Sequence, residues 1–186
     1  MSKLPREFYE QETLIVAEKL IGCYLHRIVN GQELIGRITE TEAYCGPQDD
    51  ACHSSKGRTA RTEVIFGPPG HVYVYLIYGI WSCFNVVCRP ENTAEAVLIR
   101  AVEPVAGIDF MIQQRGKSKN IADGPGKLCQ AFAIARQLNS ADLLGEEIFI
   151  TERKPTDPLP QIQRTPRIGI DYAEKCRDEL WRFVRT

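Results

Sequence analysis

The chain has 186 residues, 44% of them hydrophobic and 25% charged, with a formal net charge of −1. That length suits one domain with a real core, and no apolar run approaches the roughly 20 residues that a membrane span requires. A near-neutral balance excludes a global polycation, so an anionic partner has to be met by local patches.

Such patches exist. Residues 1–50 hold five basic against nine acidic side chains, a balance of −4. Arg115, Lys117, Lys119 and Lys127 face Asp123 alone within 111–127, and Lys56, Arg58 and Arg61 stand together without an acid. The seven cysteines are odd in number and scattered, with no Cys-x-x-Cys, and the N-terminus MSKLPREFYEQET is too polar for a secretory signal. Reduced thiols in a cytoplasmic protein are the expectation.

In chain order, Thr13–Ile21 has apolar residues at Leu14, Ala17, Leu20 and Ile21 before Gly22, which predicts a helix with a glycine stop. Cys23–Val29 and Glu33–Tyr44 flank Asn30-Gly31, a hairpin signal. Gly46–Gly70 is long and polar and ends in the rigid Phe66-Gly-Pro-Pro-Gly70 turn. His71–Ile77 and Ser82–Cys88 read as strands joined through Tyr78-Gly-Ile-Trp81, and Ala96–Val102 as a further strand. Pro104–Arg115 is predicted as a helix with proline in its first turn, and Lys127–Leu138 as another after a 116–126 loop. Glu147–Thr151 reads as a strand, and Arg153–Pro160, with three prolines, as a surface excursion. Strands dominate the first hundred residues and no βαβ rhythm follows. Residues 1–186 are therefore expected to form a single compact α+β domain: a mostly antiparallel curved sheet with surrounding helices and a protruding β-hairpin.

The densest chemistry lies in Thr39–Ser54, TETEAYCGPQDDACHS, with four carboxylates, an aromatic, two cysteines and a histidine. Strand alternation puts Glu40, Glu42 and Tyr44 on one face together with Ile38. A partly apolar face raises the pKa of a carboxylate on it, which suits a general base; an edge strand with two solvated glutamates fits the same spacing. Cys45, Cys52 and His53 lack the second short-spaced pair that structural zinc sites show. No G-x-S-x-G elbow is present, and Gly124-Pro-Gly126-Lys127 lacks phosphate-loop spacing, although its glycines could let backbone amides approach a phosphate.

The ribbon HVYVYLIYGIWSCFNVVC (His71–Cys88) places Tyr73, Tyr75 and Ile77 on one face and Tyr78 at the tip beside Gly79. Core packing accounts for such tyrosines. So does a stacking surface at Tyr75 with Tyr78 as a wedge, since stacking on a base contributes roughly 1–3 kcal/mol and wedges help extrude a nucleotide. The Asn85 amide on the returning strand could read a purine edge.

ETEAYCGPQDDACH (40–53), YVYLIYGIWSCFN (73–85), VLIRAVEP (97–104), GPGKLCQA (124–131) and TPRIGI (165–170) occur in this order. Together they closely resemble the alkyladenine (3-methyladenine, methylpurine) DNA glycosylase family, over about Leu14 to Val184. The resemblance implies one domain that binds duplex DNA from the minor-groove side, flips out an alkylated or deaminated purine and hydrolyses its N-glycosidic bond. It implies Glu42 as the base that activates water and Arg100 as its helper. Tyr44, His53 and Tyr75 become the walls around the flipped base, Tyr78 the wedge, and Asn85 the discriminator against guanine. Arg58, Arg61 and Lys127 are the candidate DNA-backbone contacts. It further implies no metal or organic cofactor; the short apolar runs predict no membrane partner, and a DNA wedge enzyme of this size is expected to act as a monomer.

Two departures stand out: Glu63, near which the family more often has asparagine, and the Trp81 and Phe84 positions, which could alter the pocket. Two rival readings stay open, a bifunctional glycosylase/lyase with Lys127 as amine nucleophile and a non-catalytic damage- or nucleic-acid-binding protein on the same fold. Glu40, Asp49, Asp50 and both cysteines of the stretch are assigned to structure alone.

Overall fold

Asn30 and Gly31 make the turn that their identities favour. In the computed structural model, which describes residues 1–186, both have positive φ (51° and 77°) and join β1 (Tyr24–Val29) to β2 (Gln32–Tyr44). Positive φ at both central residues gives the hairpin turn whose twist matches that of its strands. The same device recurs between β3 (Val72–Ile77) and β4 (Trp81–Cys88), where Tyr78 (52°) precedes Gly79 (70°).

With β5 (Glu95–Ala106) and β6 (Ile148–Thr151), these strands form an antiparallel sheet in the order β3-β4-β5-β2-β1-β6. β7 (Ile162–Thr165) and β8 (Arg182–Arg185) attach to it through β8, which pairs with Glu40–Glu42 of β2. One sheet face carries Val72, Val74, Phe84, Val86, Val97 and Ile99 into the main core, where Met111, Leu128 and Phe132 cover them. Helices α1 (Arg6–Tyr9), α2 (Thr13–Lys19), α3 (Ile108–Arg115) and α4 (Pro125–Ala131) surround the sheet, and the α+β expectation holds. No helix is long and apolar enough to cross a membrane.

Strand alternation breaks at one informative place. The β2–β5 ladder runs Ile38↔Val102, Glu40↔Ala101, Thr41↔Ile99, so it passes over Thr39 on one strand and Arg100 on the other. These bulges reverse the faces. Ile38 is buried in the main core with Ala43, and Thr41 gives its hydroxyl to the Ala17 carbonyl at 2.8 Å. Ile38 therefore does not share a face with Glu40, Glu42 and Tyr44, as plain alternation predicts. The extra residues turn the carboxylates to the opposite side.

Other boundaries move for identifiable reasons. Pro104 is strand, opposite Gly36, and helix α3 begins only at Ile108. β4 pairs β5 only over Glu95–Leu98, so the Pro104 end has an open edge that tolerates a missing donor. Gly107, at φ 73°, then makes the corner, where a Cβ would run into Leu34. The helix predicted to Leu138 stops at Ala131; Ala133 is left-handed (φ 49°) and only a 3-10 turn follows, at Arg136–Leu138. Phe84 is fully buried in the main core, so it cannot shape a pocket on the other face.

Candidate active site

The face opposite the core carries a cavity of about 480 Å³. Side chains alternating with the core set line it: Tyr73 and Tyr75 from β3, Cys83 and Asn85 from β4, and Ala96, Leu98 and Arg100 from β5. Tyr44 from the end of β2 and His53, which opens the second 3-10 turn after it (His53–Lys56), complete the wall, with Ile168–Ile170 and Tyr172 closing it from the C-terminal part of the chain.

Behind this wall lies Glu42, with no exposed surface. Its Oε1 accepts the Ile168 amide at 2.8 Å and stands 3.3 Å from Arg100 Nη1, while Oε2 accepts the Tyr44 hydroxyl at 2.9 Å. Burial raises its pKa, and Arg100, the Ile168 amide and the Tyr44 hydroxyl pull it back. Carboxylate oxygens have about four acceptor sites, so these donors leave room for one more hydrogen on Oε2. Arg100 is itself held: its Nε donates to Glu40 Oε1 at 2.7 Å, and Arg182 Nε donates to the same oxygen at 2.6 Å. Glu40 is thus no solvated ornament of an edge strand. It fixes the arginine that faces Glu42.

The aromatic wall is also hydrogen-bonded. His53 Nδ1 lies 3.0 Å from the Tyr73 hydroxyl, and its ring meets Tyr75 edge-on at 4.5 Å between centroids. Burial, with Arg61 and Lys56 nearby, pushes the His53 pKa down to about 4, so the imidazole is neutral at neutral pH. Burial likewise raises Tyr44 and Tyr75, which stay neutral phenols. Asn85 is buried and spends both amide protons on the carbonyls of Tyr73 (3.1 Å) and Cys83 (3.3 Å), which leaves its Oδ1 as the group without a partner.

The structure brings together Glu42, Arg100, Tyr44, His53, Tyr75 and Asn85, and sets Tyr78 at the cavity rim with 87% of its surface exposed. Arg61 reaches the same cavity, its guanidinium 5.4 Å from the Tyr75 ring. Arg58 lies apart, bound to Glu63 at 3.0 Å and to Asn92. Lys127 also lies apart, paired with Asp123 at 2.9 Å beside Arg115, Lys117 and Lys119. Trp81 packs over Gly126 outside the cavity.

The closing segment carries functional groups that no local pattern in the sequence announces. Arg167, the Ile168 amide and Arg182 all serve the Glu42 corner. The one available signal was TPRIGI, a motif whose resemblance gave it no role. Asp49 and Asp50 do hold structure: Asp49 pairs with Arg167, and Asp50 accepts the amides of Glu174, Lys175 and Cys176.

The fold therefore sets an aromatic-walled cavity in front of an ion-paired, buried carboxylate. Residues 7–186 match the family described as methylpurine-DNA glycosylase. A protein of Clostridium acetobutylicum is 46% identical, over 97% of this chain and 93% of its own length. A Legionella pneumophila (strain Corby) protein is 49% identical over 98% and 94% of the two chains. One from Methanocella arvoryzae is 47% identical over 98% and 92%. Each carries the provisional name of a 3-methyladenine DNA glycosylase. The chain belongs to the methylpurine-DNA glycosylase family, and so is a DNA-repair hydrolase of N-glycosidic bonds with DNA as its partner.

Proposed function

We propose that this protein flips an alkylated or deaminated purine out of duplex DNA into the cavity and cleaves its N-glycosidic bond with a water activated by Glu42, leaving an abasic site. The observation that carries the reading is the Glu42 corner: a buried carboxylate fixed by three donors, directly behind an aromatic wall of Tyr44, His53 and Tyr75. Water attacks C1′ and passes a proton to Glu42 while the C1′–N bond breaks and its electron pair leaves with the base. A purine alkylated at N3 or N7 is cationic and departs as a neutral base, so little acid catalysis is needed. The Glu42 charge also favours the oxocarbenium character that develops at C1′. Neutral tyrosine faces attract a cationic ring.

Tyr78 supports the wedge role. A non-glycine residue at φ 52° costs about 1–2 kcal/mol, and here the strain holds an aromatic ring out in solvent. Lys127 is absent from the cavity wall, which favours water over a lysine nucleophile. No metal or organic cofactor enters the scheme, and one copy of the chain supplies every group it uses.

Glu42→Gln tests it. Under enzyme excess, release of 3-methyladenine, 7-methylguanine, hypoxanthine and ethenoadenine from single-lesion duplexes is expected to fall by about 10²–10⁴. Binding of the same duplexes is expected to persist. Near-normal release sinks the role of Glu42; a covalent adduct trapped by borohydride sinks the hydrolytic scheme.

A further inference from the structure

Arg167 is charged, its side chain has no exposed surface, and nothing in the scheme above uses it. Nη1 donates to the Ala43 carbonyl (3.0 Å) and to Asp49 Oδ2 (2.5 Å); Nη2 donates to Asp49 Oδ1 (2.8 Å) and to the Cys176 carbonyl (3.1 Å). The guanidinium lies 4.8 Å from the Tyr44 ring and 4.9 Å from the Trp181 ring. Its Nε is buried without a partner, a cost offset by the forked ion pair and the two ring faces. The next residue is Ile168, whose amide sits on Glu42.

One side chain therefore ties the closing segment to the strand residue between Glu42 and Tyr44 and backs the Tyr44 ring. We infer that Arg167 is a positioning residue for glycosidic cleavage: it docks the closing segment on β2, so that the Ile168 amide stays on Glu42 Oε1 and Tyr44 holds its place in the wall. This rests on the reading of Glu42 as the base. A buried salt bridge is poor at raising stability compared with apolar packing, so geometric control is the better account of its presence.

The consequence is a change in rate and its pH dependence rather than in affinity. Facing Glu42 are Glu40 and Tyr44 on β2, Arg100 on β5, Tyr75 on β3, Cys83 on β4 and Arg167 on the closing segment. Tyr75 and Cys83 are pushed upward by burial and stay neutral, and Glu40 is shared by two arginines. Of the donors that oppose burial at Glu42, the Ile168 amide is the one that Arg167 places. Losing it raises the Glu42 pKa, so the acidic limb of the rate profile moves to higher pH.

The test measures 3-methyladenine release from methylated duplex DNA under enzyme excess as a function of pH, alongside lesion binding. Arg167→Lys keeps the charge and loses the fork. It is expected to lower the rate about 10- to 100-fold near neutrality, move the acidic limb upward and leave lesion affinity within a few-fold. Asp49→Asn, which releases the guanidinium without deleting it, should move the limb the same way, and so keeps the test intact if Arg167→Lys folds poorly. Asp50→Asn loosens the same stretch at Glu174–Cys176 and with it one of the four acceptors of Arg167, the Cys176 carbonyl, but keeps the fork to Asp49 and the Ala43 contact, and should leave the limb where it is. If Glu42→Gln is inactive while Arg167→Lys and Asp49→Asn keep the wild-type profile, or shift it no more than Asp50→Asn does, Arg167 is structural and the inference is overturned. If Glu42→Gln itself releases base normally, the fault lies in the reading of Glu42.

Discussion

The Glu42 corner, behind the cavity wall, and the tip of the β3–β4 hairpin, at the cavity rim, are built on opposite terms. Glu42 has no exposed surface and is held by groups from β2, β5 and the closing segment, with Glu40 and Arg182 bracing Arg100 from behind. The tip is a three-residue turn whose Tyr78 is 87% exposed and whose Ile80 is 70% exposed. A group that must accept a proton gains from fixed donors and exclusion of water, because electrostatic interactions strengthen when they need no reorganisation. A group that must enter a base stack gains from having no protein partner to give up. On the proposed function, one surface therefore separates two properties, rate at the corner and capture at the tip.

Two substitutions should pull these properties apart. Arg100→Gln removes the charge facing Glu42 and leaves Glu40 to Arg182 alone, and is expected to lower single-turnover base release by about 10²–10³ with little change in lesion affinity. Equal losses in rate and binding would mean that the corner also carries DNA affinity. Tyr78→Ala should do the reverse. Lesion binding is expected to weaken by about 1–3 kcal/mol, roughly 5- to 150-fold, while the rate at saturation falls much less. Unchanged binding in a mobility-shift titration removes the wedge.

A smaller effect belongs to the wall between them. The His53 pKa is lowered from 6.5 to about 4. The unfolded chain then binds a proton at His53 that the folded chain refuses. The stability linked to this site is complete above about pH 6.5, falls as pH drops through that range, and stops changing below about 4. His53→Asn should flatten that part of the urea-midpoint profile between neutral and mildly acidic pH. A variant whose midpoint falls as steeply as the wild type rules out His53 as the source.

Strand identity and the residues that line the cavity were legible because each rests on local pattern. Asn30-Gly31 marks its turn, and the Tyr73/Tyr75 alternation survives intact into the cavity wall. What could not be read was set by tertiary contacts. The paired bulges at Thr39 and Arg100 reverse a face without any residue type that announces a bulge. Pro104 looks like a helix start until the open edge of β5 is known. Arg182 and Ile168 lie more than 120 residues from the carboxylates they serve, in a segment of short strands and turns with weak periodicity. Resemblance supplied the roles of Glu42 and Arg100 but left TPRIGI without one, since its contribution is a backbone amide and a buried guanidinium.

The smallest expected effect lies outside the cavity, at Glu63. Arg58 is one of the cations nearest the His53 wall in sequence, yet its guanidinium is divided between Glu63 Oε1 at 3.0 Å and Asn92 Oδ1 at 2.5 Å and packs 4.7 Å from the Phe66 ring. Glu63 is well exposed, so the pair contributes at most about 1 kcal/mol to stability and is screened by salt. Its larger effect falls on DNA, because a guanidinium that must leave a carboxylate to meet a phosphate gains little from the exchange. Glu63→Asn removes that competition and keeps a polar side chain. The expected outcome is unchanged folding stability within about 0.5 kcal/mol and a plot of log K against log salt steeper by about 1, the slope of one added phosphate contact. A slope identical to that of the wild type would show that Arg58 serves the loop alone, and that the cations meeting DNA are those nearer the cavity, with Arg61 first among them.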